Sequence, residues 1–325
     1  MGIIKGSSVI FVFLISFISH AAVAGPIRDQ LVEHKAAQKS SESLEDSESS
    51  DGLGTLPQGV KVLHDIPYGN DGKQRMDVYL PRDARKGAPV ILMVHGGAWR
   101  IGDKASRAVV ENKVARWVPR GFIFVSVNYR LLPKADPLQQ AEDVARALAA
   151  AQAQATSWGG SSSKFILMGH SAGAHLVALL GAAPSKAIGI GAKPWLGTIS
   201  LDSAALDVVQ IMEAKHARFY DKAFGSRPTY WRSASPFHVL TASASPLLAV
   251  CSTRRKDSCL QAHNFAAQAS SLGARIKVLE QDLSHREVNE TLGEPGAYTH
   301  AVEEFMGSLD TAVVEALITP STGTR

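Results

Sequence analysis

The apolar positions of this chain fall into short unbroken runs separated by longer, Ala-rich segments with helical spacing. Pro89 to Val94 (PVILMV) is wholly apolar, and Gly121 to Val127 (GFIFVSV) and Lys164 to Met168 (KFILM) repeat the pattern. Such runs, with no alternation of polar and apolar residues, predict strands buried on both faces of a parallel sheet. Arg75 to Leu80 is strand-like and ends at Pro81; Thr198 to Leu201, Pro246 to Val250 and Arg275 to Leu279 add further strands. Between them, helices are predicted over Ser106 to Val118, Pro137 to Gln154, Ala172 to Leu180, Gln261 to Leu272 and Ala297 to Ala312. The alternation predicts an α/β fold, a mostly parallel sheet with helices on both faces, and no internal repeat interrupts it. One segment breaks the rhythm. Leu206 to Leu240, rich in aromatic residues (Phe219, Phe224, Tyr220, Tyr230, Trp231 and Phe237), is expected to form a small cap.

The two ends of the pattern differ from its middle. Lys5 followed by the apolar run Val9 to Ile18 and by Ala22-Val23-Ala24 before Gly25 reads as a signal peptide over residues 1–24. The run is too short to span a bilayer comfortably, so no membrane insertion is expected after cleavage. No cysteine follows it, which argues against a lipoprotein. Residues 25–56 are expected to be a disordered linker, since Lys39 to Gly54 is rich in Ser and acid and has no aromatic side chain. The folded domain is then 57–325, with its cap at about 206–240.

Charge excludes one class of partner. Lys and Arg number 34 against 30 Asp and Glu, for a net charge of +4, and the cations are interspersed, which gives no reason to expect nucleic-acid binding. No Cys/His cluster has zinc spacing and no phosphate-binding Gly-rich loop appears.

The candidate chemistry begins at Gly169-His170-Ser171-Ala172-Gly173. This G-x-S-x-G lies between a buried strand and an apolar helix, the setting in which a strained turn exposes a serine hydroxyl. A serine needs a base, and the order nucleophile, acid, histidine directs attention downstream. His285 lies in the loop beyond the last strand, where it can swing over Ser171; His175, one turn along the nucleophile helix, reads as a packed or capping residue. The acid is expected after the strand Pro246–Val250, in the loop Cys251 to Cys259, where Asp257 is the only carboxylate; Asp282 is the alternative. His95-Gly96-Gly97-Ala98-Trp99 ends a buried strand with two glycines that let backbone N–H groups face the site. Gly97 and Ala98, with Ala172, are the candidate oxyanion donors. Arg130 and Asp143 are expected to pair structurally. Cys251 and Cys259 bracket the acid loop, and in an exported chain with no other cysteine a disulfide between them is expected.

With the segment Asn128 to Leu131, Trp231 to Pro236, and Ser284-His285, these motifs make residues 60–312 resemble the esterase branch of the α/β-hydrolases. That branch includes feruloyl- and acetyl-xylan-esterase-like, kynurenine-formamidase-like and hormone-sensitive-lipase-like carboxylesterases. The resemblance implies a Ser171–Asp257–His285 triad and no cofactor. The loop before the acid, usually acidic and Gly-containing in such proteins, is here basic and bracketed by cysteines. The expected activity is hydrolysis of short-chain acyl or aryl esters, including acetylated or feruloylated saccharides, with a rate that rises with pH through about 6–7 as the imidazole becomes neutral. An amidase or arylformamidase with the same machinery, and a non-catalytic binding protein on a hydrolase scaffold, are the alternatives.

Overall fold

The computed structural model describes Gly2 and residues 56–82, 86–203 and 205–319. The expected signal peptide, most of the linker and the last residues of the chain lie outside the described residues.

In chain order the elements are β1 (Lys61–Pro67), β2 (Arg75–Leu80), β3 (Ala88–Val94), α1 (Arg107–Trp117), β4 (Ile123–Val127), α2 (Pro137–Gln154), β5 (Gly160–His170), α3 (Ala172–Ala182), α4 (Ser185–Ile188) and β6 (Gly197–Leu201). There follow α5 (Val208–Glu213), α6 (Arg218–Phe224), α7 (Pro228–Ser233), α8 (Pro236–Val239), β7 (Leu247–Ser252), α9 (Ser258–Ser271), β8 (Ile276–Gln281), α10 (His285–Glu290), α11 (Ala297–Gly307) and α12 (Thr311–Ile318). The strands form one eight-stranded sheet in the order β1-β2-β4-β3-β5-β6-β7-β8. Only β2 runs against its neighbours; β4, β3, β5, β6, β7 and β8 pair in parallel.

The unbroken apolar runs occupy the middle of the sheet, where both faces are covered. Along β3, Val90, Leu92 and Val94 join the core under α2 and α3, while Ile91 and Met93 join the core under α1, α11 and α12. Each such side chain contributes about 1.5–3 kcal/mol by burial. Two elements differ from expectation. β1 (KVLHDIP) is an exposed edge strand, too polar to announce itself by apolar content, and its register slips between Leu63 and Ile66. The closing helix is two helices, because the Asp310 carboxylate caps α12 by accepting from the Ala312 N–H at 2.8 Å.

Sheet register sets up the site. Leu201 lies between His170 of β5 and Val250 of β7. Ser171 and Asp202 therefore emerge side by side at the carboxyl edge, with Ser252 at the end of β7 next to them. The Ser171 N–H donates to Leu201 O at 3.0 Å and the Asp202 N–H to Val250 O at 2.8 Å.

The expected Arg130–Asp143 pair buttresses this edge. Asp143 is fully buried on α2 and accepts from Arg130 Nε at 2.8 Å, Nη2 at 2.7 Å and the backbone N–H at 3.0 Å, and from Gln74 Nε2 at 2.8 Å. The carboxylate thus ties the loop after β4 to the start of β2. Asp143→Ala removes every acceptor at once and strands a guanidinium in its socket. We expect a loss of about 3–5 kcal/mol in urea unfolding; a loss under about 1 kcal/mol would show that the pair is dispensable.

Candidate active site

The nucleophile turn is built by close approach. Ser171 has φ 55° and ψ −115°, a conformation that L-residues rarely hold, directly between β5 and α3. The turn closes only with glycine on either side. A Cβ on Gly169 would lie 2.4 Å from Gly173 O, and one on Gly173 would lie 2.2 Å from Val94 O. The same contact seats the serine turn against the end of β3, where the His95–Trp99 turn begins.

His285 opens α10. Its approach is set by Ser284, whose hydroxyl accepts from the Glu287 N–H at 3.2 Å while Glu287 Oε2 accepts from the Ser284 N–H at 2.7 Å. His170 Nε2 donates to the His285 carbonyl at 2.9 Å, fixing the backbone that carries the ring. His285 Nε2 then lies 2.9 Å from Ser171 Oγ and Nδ1 lies 2.6 Å from Asp202 Oδ2. For Nε2 to accept the serine proton, Nδ1 must carry the ring proton and donate it to Asp202.

The carboxylate that meets the imidazole is Asp202, and the expectation of Asp257 is corrected. Asp257 is exposed at the N-cap position of α9, and its side chain makes no capping bond. The alternative, Asp282, is exposed and pairs with Arg254 at 2.8 Å. The reason is lateral position. Asp202 follows β6, the strand beside the nucleophile's own, whereas the loop after β7 turns so that Arg255 faces the ring and Asp257 faces solvent. Asp202 is fully buried. Its Oδ1 accepts from the Ser252 N–H at 2.9 Å and from the Ser258 hydroxyl, and its Oδ2 accepts from Arg255 Nη1 at 2.7 Å as well as from His285. Burial alone would raise the carboxyl pKa; the Arg255 charge and the His285 and Ser258 hydrogen bonds outweigh it and hold Asp202 well below the carboxylate range. His285 is pushed down to about 3, first by burial, then by the Arg255 charge and by His170, against the pull of Asp202.

Gly97, Ala98 and Trp99 all have positive φ (99°, 50° and 61°), so the turn after β3 folds back on itself at the carboxyl edge. His95 plays a structural part there: Nδ1 donates to Gly96 O at 2.8 Å, and the ring stacks on Tyr129 with centroids 4.5 Å apart. Trp99 Nε1 donates to His175 Nδ1 at 3.2 Å, and His175 Nε2 donates to Ala234 O at 2.7 Å. The buried His175, lowered to about 4 by desolvation, thus links the turn, the nucleophile helix and the cap. The segment expected to be the cap folds as α5 to α8. It packs on Trp99 through Phe224, with ring centroids 4.9 Å apart, and through Phe219 and Tyr220. Cys251 and Cys259 are bonded, with Cα atoms 5.1 Å apart, at the two ends of the loop that carries Arg255.

The structure therefore brings together Ser171 and His285 and leaves Asp257 outside; Ala172 follows Ser171 at the start of α3, and the Gly97–Ala98 turn follows β3 at the same edge of the sheet. Sequence reasoning missed Asp202, Arg255 and His170. The available signal for Asp202 was a carboxylate directly after a buried strand, Thr198–Leu201. Among the described residues no group of three or more His, Cys, Asp or Glu could hold a metal ion, and no helix is long and apolar enough to cross a membrane.

Comparisons with known proteins agree with this architecture. Solved structures with the same fold include esterase B from Lactobacillus rhamnosis, with a TM-score of 0.65 at 18% identity over 89% of this chain and 96% of that one. A carbohydrate esterase from gut microbiota has a TM-score of 0.66 at 15% identity, over 82% and 99% of the two chains. Among curated relatives, esterase LipQ of Mycobacterium tuberculosis is 29% identical over 70% of this chain and 58% of its own. A probable isoprenylcysteine alpha-carbonyl methylesterase of rice is 36% identical over 36% of this chain and 28% of its own, and zebrafish kynurenine formamidase is 32% identical over 37% and 39%. The chain thus spans between 28% and 58% of the length of these relatives. The fold is the α/β-hydrolase fold, and with the BD-FAE profile matching residues 76–262, more than half of its length, the chain belongs to the BD-FAE family.

Proposed function

We propose that the protein is an exported serine carboxylesterase that hydrolyses short-chain acyl or aryl esters through an acyl-enzyme on Ser171. The observation that carries this is the continuous chain from Ser171 Oγ through His285 to the buried Asp202, at 2.9 and 2.6 Å. His285 Nε2 takes the hydroxyl proton as Oγ attacks the ester carbonyl, then delivers it to the leaving alcohol. Water, deprotonated by the same nitrogen, releases the acid and restores the serine. The Gly97, Ala98 and Ala172 N–H groups are the donors for the tetrahedral oxyanion; the folded-back turn and the start of α3 support that role. The aromatic filling of the cap around Trp99 favours a short acyl group. Acetylated and feruloylated saccharides are the substrates we would place first, and the carbohydrate esterase among the structural neighbours supports trying them.

The zebrafish formamidase similarity favours one second reading, amide or formanilide hydrolysis by the same residues. Matched aryl ester and anilide substrates separate the two by their kcat/KM.

Ser171→Ala should leave the fold intact and lower esterase turnover by about 10⁴–10⁶. It should also abolish the mass adduct formed with a fluorophosphonate. Undiminished hydrolysis by the purified variant would refute the assignment. We further propose that the Cys251–Cys259 bond forms in the exported protein and, by closing a short loop, stabilises it by about 2–3 kcal/mol. Thiol labelling of the denatured, non-reduced protein should then give no adducts; two adducts would exclude the bond.

A further inference from the structure

We propose that Arg255 is a positioning residue of the triad, a built-in cation that shares the Asp202 carboxylate with His285 and so adapts the base to work in acid. The inference rests on the esterase reading above and deepens it.

The geometry is specific. Arg255 Nη1 is 2.7 Å from Asp202 Oδ2, 3.0 Å from the Asp202 carbonyl and 2.9 Å from His285 Nδ1. With the ring proton on Nδ1, the last contact joins two donors, and both hydrogens converge on one oxygen. In the opposite tautomer Nδ1 accepts from Arg255, and Nε2–H points at Ser171, where it cannot act as a base. In the imidazolium that forms on proton transfer, a second full charge stands 2.9 Å from Nδ1. Arg255 thus opposes the charged ring while holding the carboxylate that orients it. Of the other groups near the pair, His170 of β5 adds a ring 4.5 Å from that of His285, Tyr298 of α11 lies near Asp202, and Tyr220 of α6 lies near Arg255. Asp257, exposed on the solvent side of the loop, offsets the Arg255 charge only in part.

The loop is built to hold this residue. The Cys251–Cys259 bond closes it, and Arg254 next door pairs with Asp282 at 2.8 Å and Glu287 at 3.0 Å, on the segment that carries His285. An acid loop would have served the imidazolium; this one delivers a cation instead. Burial of the ring and the Arg255 charge act in the same direction, toward a base that stays uncharged, and therefore usable, below the ordinary histidine range near 6.5. The expected acid limb then lies below the 6–7 of an ordinary imidazole.

The test compares wild type, Arg255→Gln and Arg255→Lys. It follows kcat/KM for p-nitrophenyl acetate from pH 4 to 8, with activity restored on return to pH 7.5, and in parallel the ring signals of His285 by NMR, assigned by difference with His285→Gln. The wild-type acid limb should lie below about pH 5 and the His285 ring should not titrate above it. Arg255→Gln should raise both by at least about one pH unit, and Arg255→Lys, which keeps a charge, should fall between. A wild-type limb and ring titration near 6–7, or a folded Arg255→Gln with neither shifted, overturns the proposal. If Arg255→Gln does not fold, Arg255→Lys decides by the same two readouts, and an acid limb and ring titration unmoved from wild type overturn the proposal. An inactive wild type whose His285 titration still rises in the Arg255 variants would count against the esterase reading and for the role of Arg255.

Discussion

Everything at this site depends on one buried carboxylate shared by two donors, a guanidinium and a neutral imidazole. Asp202 sits at the end of β6 with no exposure to water. A charge in that position is tolerable only when its oxygens are fully hydrogen-bonded and its charge is met. The Ser252 N–H and the Ser258 hydroxyl satisfy Oδ1, leaving Oδ2 to Arg255 and His285. From that arrangement follow the tautomer of the base, its orientation over Ser171, and the need for a closed loop to hold Arg255. Remove the carboxylate and two donors are left facing each other.

The surrounding fold can be understood as the support this arrangement needs. Parallel pairing of β5, β6 and β7 sets Ser171 and Asp202 on adjacent strand ends without any side-chain contact deciding it. Glycines at 169 and 173 let helix and strand approach closely enough to strain the serine. On the other side of the nucleophile, His175 joins Trp99 to the Ala234 carbonyl, so the turn after β3, α3 and the segment α7–α8 form one hydrogen-bonded unit.

How legible this was depends on whether the signal was local. The buried strands, the span of α2 and the Ser171 turn could be read from the sequence because apolar runs, an Ala-rich helical segment and a glycine-flanked serine are contiguous patterns. His285 could be read because it follows the last strand at loop distance. Asp202 was passed over because its local signal is no more than a carboxylate directly after a short buried strand, and nothing contiguous in the sequence shows that the loop after β7 turns Arg255, and not Asp257, toward the base. The only carboxylate of the Cys251–Cys259 loop was the reasonable candidate, yet the loop presents its neighbour two residues earlier. β1 was missed for a simpler reason: an exposed edge strand carries no apolar periodicity.

The central claim is that Asp202, and not Asp257, orients the base. The most direct measurement is kcat for Asp202→Asn and Asp257→Asn prepared side by side, with unfolding curves to certify both. The amide at 202 keeps the shape but presents a donor where the imidazole needs an acceptor. The account predicts a fall of about 10³–10⁴ in kcat for Asp202→Asn and less than about threefold for Asp257→Asn. The opposite ranking, with Asp257→Asn crippled and Asp202→Asn active, would contradict it.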